Sequence, residues 1–211
     1  MDLNPYKASS LTAIFEQSVR DYHINNSVEA LPHNPYAVGD LQHMLYEKNW
    51  IDTVQWHLED IIRRPDIGDR ELVHVKRKID LLNQKRTDMV EQIDERFASL
   101  LQRHKKKDNA RMNSETPAWM LDRMSILILK IYHMREESLR QEAGPGHIRQ
   151  CTEKLRILEQ QRSDLEQCYD ELMEDIQSGH RYFRLYRQMK MYNDPNLNPS
   201  LYGKYSEQAG K

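Results

Sequence analysis

The stretch that decides the fold runs from Leu72 to Leu100 and reads LVHVKRKIDLLNQKRTDMVEQIDERFASL. Its apolar side chains recur at steps of three and four residues, at Leu72, Val75, Ile79, Leu82, Met89, Ile93, Phe97 and Leu100. This heptad-like spacing places them on one face of a helix, and Arg86 interrupts the apolar seam. The sequence therefore predicts a long amphipathic helix here, helix B.

A second seam of the same kind follows Ile148, and it predicts helix D. Its members are Cys151, Leu155, Leu158, Arg162, Leu165, Tyr169, Leu172 and Ile176. Shifting the chain by 76 residues lays helix B on helix D, and Arg86 then falls on Arg162. Seven of the eighteen positions in 78–95 are identical to those in 154–171. We interpret this match as an internal duplication.

Each seam follows a shorter helical pattern, and the two together predict a pair of hairpins. Helix A extends from Leu41 to Arg64, where Pro65 ends it, and helix C begins at Thr116-Pro117 and ends at Gly144-Pro145-Gly146. The offset of 76 places Trp56-His57 of helix A on Tyr132-His133 of helix C. The repeat copies are thus 41–101 and 117–190, joined by a charged linker at 102–115.

The two ends of the chain complete the predicted architecture. Ser10 is a suitable N-cap for a first helix that ends near Asn25-Asn26. After Tyr192, Asn, Pro and Gly replace the helical pattern, which predicts an extended tail at 193–211. We expect the tyrosines of this region (192, 202 and 205) to hold it against the helices. The predicted fold is all-α, a single antiparallel helical bundle over residues 1–211.

Composition and charge exclude several classes of protein. Lys plus Arg number 31 against 33 Asp plus Glu, so no net basic field would draw the whole chain onto nucleic acid. The most apolar segment, Ile126–Leu129, is too short to span a membrane, so we expect a cytoplasmic location. Cys151 and Cys168 fall on one predicted helix about 25 Å apart, which excludes a disulfide between them.

Polar residues near the middle of the first hairpin form the candidate site. Residues equally far from the loop of an antiparallel hairpin lie level with each other, so polar positions on helices A and B are expected to converge. The candidate ligand-binding residues are Trp50, Thr53, His57, Asp60, Lys76, Asp80, Asn83 and Arg86. Trp50, Thr53, Asp80 and Asn83 have no like counterpart in the second copy, whereas Arg86 does. A specific ligand would therefore depend on these four residues.

Two interpretations of this cluster stay open. In the first, Arg86 is a structural residue whose buried guanidinium pairs with Asp60 or Asp80. In the second, an arginine, a histidine and acids around a tryptophan bind an anionic group with a ring attached.

The sequence identifies no cofactor and no metal ligand. The spacings His57-x-x-Asp60 and Glu91-x-x-Asp94 resemble the acidic motifs of all-α nucleotide pyrophosphatases. Glu91, however, lies about 24 Å further along the hairpin than Asp60, so one metal ion cannot bind both pairs within it.

The sequence resembles the bacterial family called domain of unknown function 4254. The resemblance rests on KNWIDTVQWHLEDIIRRPDI (48–67), KRKIDLLNQKRTDMVEQID (76–94), PAWMLDRMSILILKIYHM (117–134) and KMYNDPNLNP (190–199). It implies a bacterial, cytosolic, helical protein, and it implies no particular activity or catalytic residue.

Three functions are consistent with these features. The leading hypothesis is a helical-bundle protein that binds a small anionic ligand, a nucleotide or sugar nucleotide, at the first-hairpin cluster. The first alternative is metal-dependent hydrolysis of a nucleotide or phosphate ester by the same acids. The second is a structural module whose seams continue into a homo-oligomer.

Overall fold

The computed structural model describes residues 6–189, 191 and 194–202, and it confirms the all-α prediction. The α-helices are α1 (Ala8–Asn25), α2 (Leu41–Ile61), α3 (Asp69–Leu101), α4 (Pro117–Leu139), α5 (Gly144–Gln177) and the short α6 (Pro199–Tyr202). A 3-10 turn at Gln141–Ala143 precedes α5, and two short strands, β1 (Arg111–Met112) and β2 (Arg181–Tyr182), pair in parallel. Helices A, B, C and D of the sequence correspond to α2, α3, α4 and α5.

Local sequence signals explain where several of these helices begin and end. Thr116 caps α4 as predicted, because its hydroxyl oxygen accepts a hydrogen bond from Trp119 N–H at 3.2 Å. Asn26 ends α1 in the left-handed conformation, with φ of 46°. The first helix begins at Ala8, earlier than the Ser10 cap predicts, because Asp170 of α5 accepts the Ala8 N–H at 2.8 Å.

The end of α4 also differs from the prediction. The helix stops at Leu139, and the Gly-Pro-Gly sequence opens α5 instead of closing α4. Gly144 has φ of +78°, which side chains with a Cβ rarely adopt, so the chain turns there. Pro145 then occupies the first turn of α5, where no intrahelical N–H partner is needed.

Contacts between α2 and α3 have the pattern of an antiparallel hairpin. Arg64 pairs with Glu71 beside the loop, Gln55 bonds to Asn83 further away, and Asp52 meets Arg86 beyond them. In the second pair of helices, Glu137 contacts His147 beside the loop, and Arg135 contacts Glu159 further away.

Helix α1 packs against α2, α4 and α5, and its apolar face is fully buried. Phe15 and Tyr22 of α1 have no exposed surface. One contiguous hydrophobic core contains residues of α1, α2, α3, α4 and α5. This arrangement places α1, α2 and α4 side by side and brings their polar residues together.

The segments that follow α3 and α5 are joined to each other. Strand β1 in the predicted linker pairs with β2, and the Lys107 N–H donates to the Gly179 carbonyl at 2.9 Å. Gly179 has φ of +76°, and a Cβ there would lie 2.6 Å from the Lys105 carbonyl oxygen, so no other residue fits.

The predicted tail is only partly covered by the described residues. Arg187, before the tail, binds Glu91 at 2.7 Å and Glu95 at 2.5 Å on α3. Tyr192, Tyr205 and the Tyr202 side chain, which we expected to hold the tail, lie outside the described part of the chain.

No helix within the described residues is both long enough and apolar enough to cross a membrane.

Candidate functional site

The structure places the eight predicted site residues in four separate surroundings. Asp60 and Arg86 line a common cavity. His57 contacts two other histidines, and Lys76 pairs with Asp80 on the surface. Trp50, Thr53 and Asn83 are joined to other parts of the protein by hydrogen bonds. The predicted residues therefore do not form one cluster.

Arg86 is held by two aspartates that were not among the predicted residues. Its Nε and Nη2 donate to the two carboxylate oxygens of Asp122 at 3.0 and 2.6 Å, a bidentate pair. Asp52 Oδ1 lies 3.2 Å from Nε. Neither Asp60 nor Asp80 pairs with Arg86; Asp60 is 62% exposed and Asp80 binds Lys76. The structural interpretation therefore named the correct kind of partner but the wrong acids.

A buried lysine completes this charge network. Lys48 is 1% exposed, forms a close ion pair with Asp52, and donates to Asp122 Oδ1 at 2.8 Å. Two cations and two anions therefore balance in the core, which is the condition for burying them. Asp52 also accepts from the Ser125 hydroxyl at 2.6 Å, and Ser125 accepts from Asn49 at 2.9 Å.

The pKa values of the two aspartates in the network are shifted in opposite directions. Burial raises the pKa of Asp52 more strongly than the attraction of Lys48 and Arg86 lowers it. Burial also acts on Asp122, but there Lys48 and Arg86 together hold the pKa below its ordinary value. Asp122 is therefore the firmly ionised partner of the Arg86 guanidinium.

Two cavities meet at Arg86, and we call them the acidic cavity and the basic cavity. The acidic cavity, of about 320 Å³, is lined by Asp52, Gln55, Trp56, Glu59, Asp60, Arg63, Arg86 and Ile126. The basic cavity, of about 330 Å³, is lined by Arg86, Asp122, Arg123, Ile126, Leu127, Lys130, Gln161 and Leu165. Arg86 and Ile126 line both. Each volume falls within the range of small-molecule sites.

The charges of the two cavities are opposite. In the acidic cavity three carboxylates face two arginines, and Arg63 already binds Glu59 at 2.8 Å. In the basic cavity the single acid, Asp122, is engaged by Lys48 and Arg86. Lys130 has no ion-pair or hydrogen-bond partner among the described residues. Unpaired positive charge therefore lies in the basic cavity, at Lys130.

The remaining predicted residues use their polar groups within the protein. The Trp50 indole N–H donates to the Ala30 carbonyl at 3.3 Å, and the Thr53 hydroxyl donates to the Asn49 carbonyl at 2.8 Å. Asn83 accepts from Gln55 at 2.8 Å. These three side chains support the helices around the cavities.

His57 lies with His23 of α1 and His133 of α4. One ring nitrogen from each of the three lies within 4.8 Å of the others, a spacing that a single metal ion can bridge. The sequence analysis assigned no metal ligand, because it considered only pairs within one hairpin. His23 lies outside both repeat copies.

The family model described as "Protein of unknown function (DUF4254)" matches residues 42–185, more than half of the chain. The chain belongs to this family. No curated protein and no solved structure matches the chain. The family's matched region contains Lys48, Asp52, Arg86, Asp122 and Lys130, whereas His23 lies before it.

Two signals in the family's matched region pointed to the residues that were missed. Asp122 lies, with Arg123, within the mostly apolar run MLDRMSILIL, and a charged residue in such a run is often buried and paired. Lys48 and Asp52 are four residues apart on a helix, the spacing at which opposite charges meet. Neither signal identifies the partner across the helices, because that depends on how α2, α3 and α4 pack.

Proposed function

We propose that the protein binds a small anionic ligand with an attached ring, of the nucleotide or sugar-nucleotide class, across the two cavities at Arg86. The observation that supports this proposal is that the Arg86 guanidinium is held in place and still has unused hydrogen-bond donors. Nε and Nη2 are fixed by Asp122, while Nη1 donates no hydrogen bond to any described residue. A fixed arginine with unused donors is preorganised to bind a phosphate or carboxylate oxygen.

The charges favour one orientation of the ligand. The anionic group belongs in the basic cavity, where Lys130 supplies positive charge beside Arg86 and Gln161 an amide donor, whereas Arg123 already binds Glu115 at 3.0 Å. The ring belongs in the acidic cavity, against Trp56 and Ile126. There the carboxylates at the rim can accept hydrogen bonds from amino or hydroxyl groups, which nucleobases and sugars carry.

The test uses adenosine monophosphate and adenosine, which share a ring and differ by the phosphate. We expect the monophosphate to raise the melting temperature by roughly 5–10 °C at about 100 times its Kd. Adenosine at the same concentration should give a smaller shift, because it lacks the group that meets Arg86 and Lys130.

A matched pair of lysine variants locates the binding. Lys130→Gln removes a positive charge from the basic cavity, whereas Lys154→Gln removes one from an exposed position of α5. Isothermal titration should show at least tenfold weaker binding of the monophosphate to Lys130→Gln and no change for Lys154→Gln. Equal affinities in both variants, or equal shifts from both adenosine compounds, would refute the proposed site. Phosphate release in the presence of Mg²⁺, followed in the same samples, tests the hydrolase alternative.

A further inference from the structure

The three histidines lie at the point where α1, α2 and α4 meet. His23 Nε2 and His57 Nε2 are 3.2 Å apart, and His133 brings a ring nitrogen within 4.8 Å of both. Three ligands bound to tetrahedral zinc, each at about 2.0–2.1 Å, are separated from one another by about 3.3 Å. The first pair already has the separation that a shared metal ion requires.

For His23, a hydrogen bond outside the cluster fixes which nitrogen faces inward. His23 Nδ1 lies 2.7 Å from the Val19 carbonyl oxygen, which can only accept, so Nδ1 carries the proton and Nε2 presents its lone pair. His57 Nδ1 lies 3.9 Å from Asp60 Oδ2. A carbonyl or carboxylate behind the ring is the arrangement that orients histidine ligands in metal sites.

His133 has a buried nitrogen without a partner. Its Nε2 is shielded from solvent and makes no hydrogen bond to the described part of the chain. An unpaired buried nitrogen of this kind destabilises the protein unless something binds it.

An aromatic ring is stacked on each of the three imidazoles. Tyr22 lies parallel to His57 with ring centres 5.1 Å apart, and Trp56 lies parallel to His133 at 4.9 Å. Tyr132 stacks on His23 at 4.3 Å. These contacts restrict ring rotation, so the nitrogens are held near one another before any ion binds.

We propose that His23, His57 and His133 bind one divalent transition-metal ion, of which zinc is the best match. Imidazole ligands select zinc, copper, nickel and similar ions over magnesium and calcium, which prefer oxygen. Three protein ligands leave one tetrahedral position for water or an exogenous ligand. The ion would connect α1 to both hairpins, because each of these parts supplies one ligand.

The three metal ligands do not line either cavity at Arg86, although Trp56 and Asp60 of the acidic cavity lie next to His133 and His57. Lys130, in the basic cavity, lies in neither group of contacts. Lys130→Gln should therefore leave metal binding unchanged, so failure of one proposal does not entail failure of the other.

The test is a competition titration of the whole, chelator-stripped protein with Zn²⁺ against a chromophoric chelator. We expect one equivalent of Zn²⁺ to bind, and millimolar Mg²⁺ not to displace it. His23→Gln, His57→Gln and His133→Gln should each weaken binding at least a hundredfold. His33→Gln, which removes an exposed histidine of the connector, should leave the affinity unchanged.

X-ray absorption of the zinc-loaded wild-type protein identifies the ligands directly. This measurement does not require the histidine variants to fold. The spectrum should show three imidazole ligands. Fewer than three imidazoles, or an affinity that His33→Gln lowers as much as the other three variants do, would overturn the proposal.

Discussion

Arg86 and Arg162 occupy equivalent positions in the seams of α3 and α5, yet they meet different acids. The partners of Arg86 are buried, with Asp52 at 0% and Asp122 at 6% exposure. Arg162 binds Glu16 and Glu166, whose side chains are 32% and 21% exposed. A buried ion network is seldom the most stable way to fill a core, because its charges lose hydration. The ligand site proposed at Arg86 would account for a buried network that stability alone does not require.

The largest expected effect comes from removing the two arginines separately. Arg86→Met leaves two buried aspartates with only Lys48, and should lower the free energy of unfolding by about 3–5 kcal/mol. Arg162→Met leaves acids that water can reach, and should lower it by about 1 kcal/mol. Urea denaturation of both variants measures the difference. Equal losses would mean that seam position, and not the burial of the partners, sets the role of each arginine.

A second comparison concerns Asp94 and Asp170, which are also 76 residues apart. Asp94 lies buried near Thr116 and Ala118 at the start of α4, and Asp170 accepts the Ala8 N–H at the start of α1. Burial raises the pKa of Asp94 from 3.8 to about 6, against the opposing effect of Thr116 and the Ala118 N–H. The folded state therefore holds the Asp94 proton more tightly than the unfolded state.

The pH dependence of stability follows from that shift. Stability due to protonated Asp94 is fully present below about pH 4 and is lost as the pH rises to about 6. Above pH 6 the ionised Asp94 carboxylate destabilises the fold by about 3 kcal/mol, which is the free energy that corresponds to the pKa shift. Asp94→Asn should therefore be more stable than wild type at pH 7.5, by an amount that shrinks towards pH 4. Parallel pH profiles for the two proteins, from urea denaturation, would contradict this account of Asp94.

The smallest expected effect tests the site residues chosen from the sequence. Asp80 forms an exposed ion pair with Lys76 and lines neither cavity at Arg86. Asp80→Asn should change the free energy of unfolding by less than about 1 kcal/mol and leave the affinity for adenosine monophosphate unchanged. A tenfold loss of affinity in a titration of this variant would show that the ligand binds at Asp80, on the surface of α3, and not in the cavities at Arg86.

Much of the fold could be predicted from the sequence because it depends on local patterns. The seams of α3 and α5, the Thr116 cap and the Asn26 end of α1 are each encoded within a few neighbouring residues. The break at Leu139 was missed because the chain leaves the helix at Arg140, where neither Gly nor Pro signals an end. The early start of α1 was missed because Asp170, which accepts the Ala8 N–H, is distant in sequence.

The candidate site was harder to predict because it is formed between hairpins. The pattern of the first hairpin alone predicts Arg86 and Asp60 as site residues. It cannot predict Asp122 or Lys130, because these belong to α4. The same limit hid the histidine cluster, whose three members belong to three helices. The internal duplication stays a prediction, and it is supported by the contacts that join Asn49 to Ser125 and His57 to His133, each pair 76 residues apart.

The proposed function requires that the ligand bind at Arg86 and not at Arg162. The most direct test is to measure the affinity of two arginine-to-lysine variants for adenosine monophosphate. Arg86→Lys and Arg162→Lys both keep the positive charge, but a lysine cannot bind Asp122 through two bonds and also present the donors of Nη1. Isothermal titration should show binding weakened at least tenfold in Arg86→Lys and unchanged in Arg162→Lys. Equal affinities in the two variants, whether retained or lost, would contradict the account.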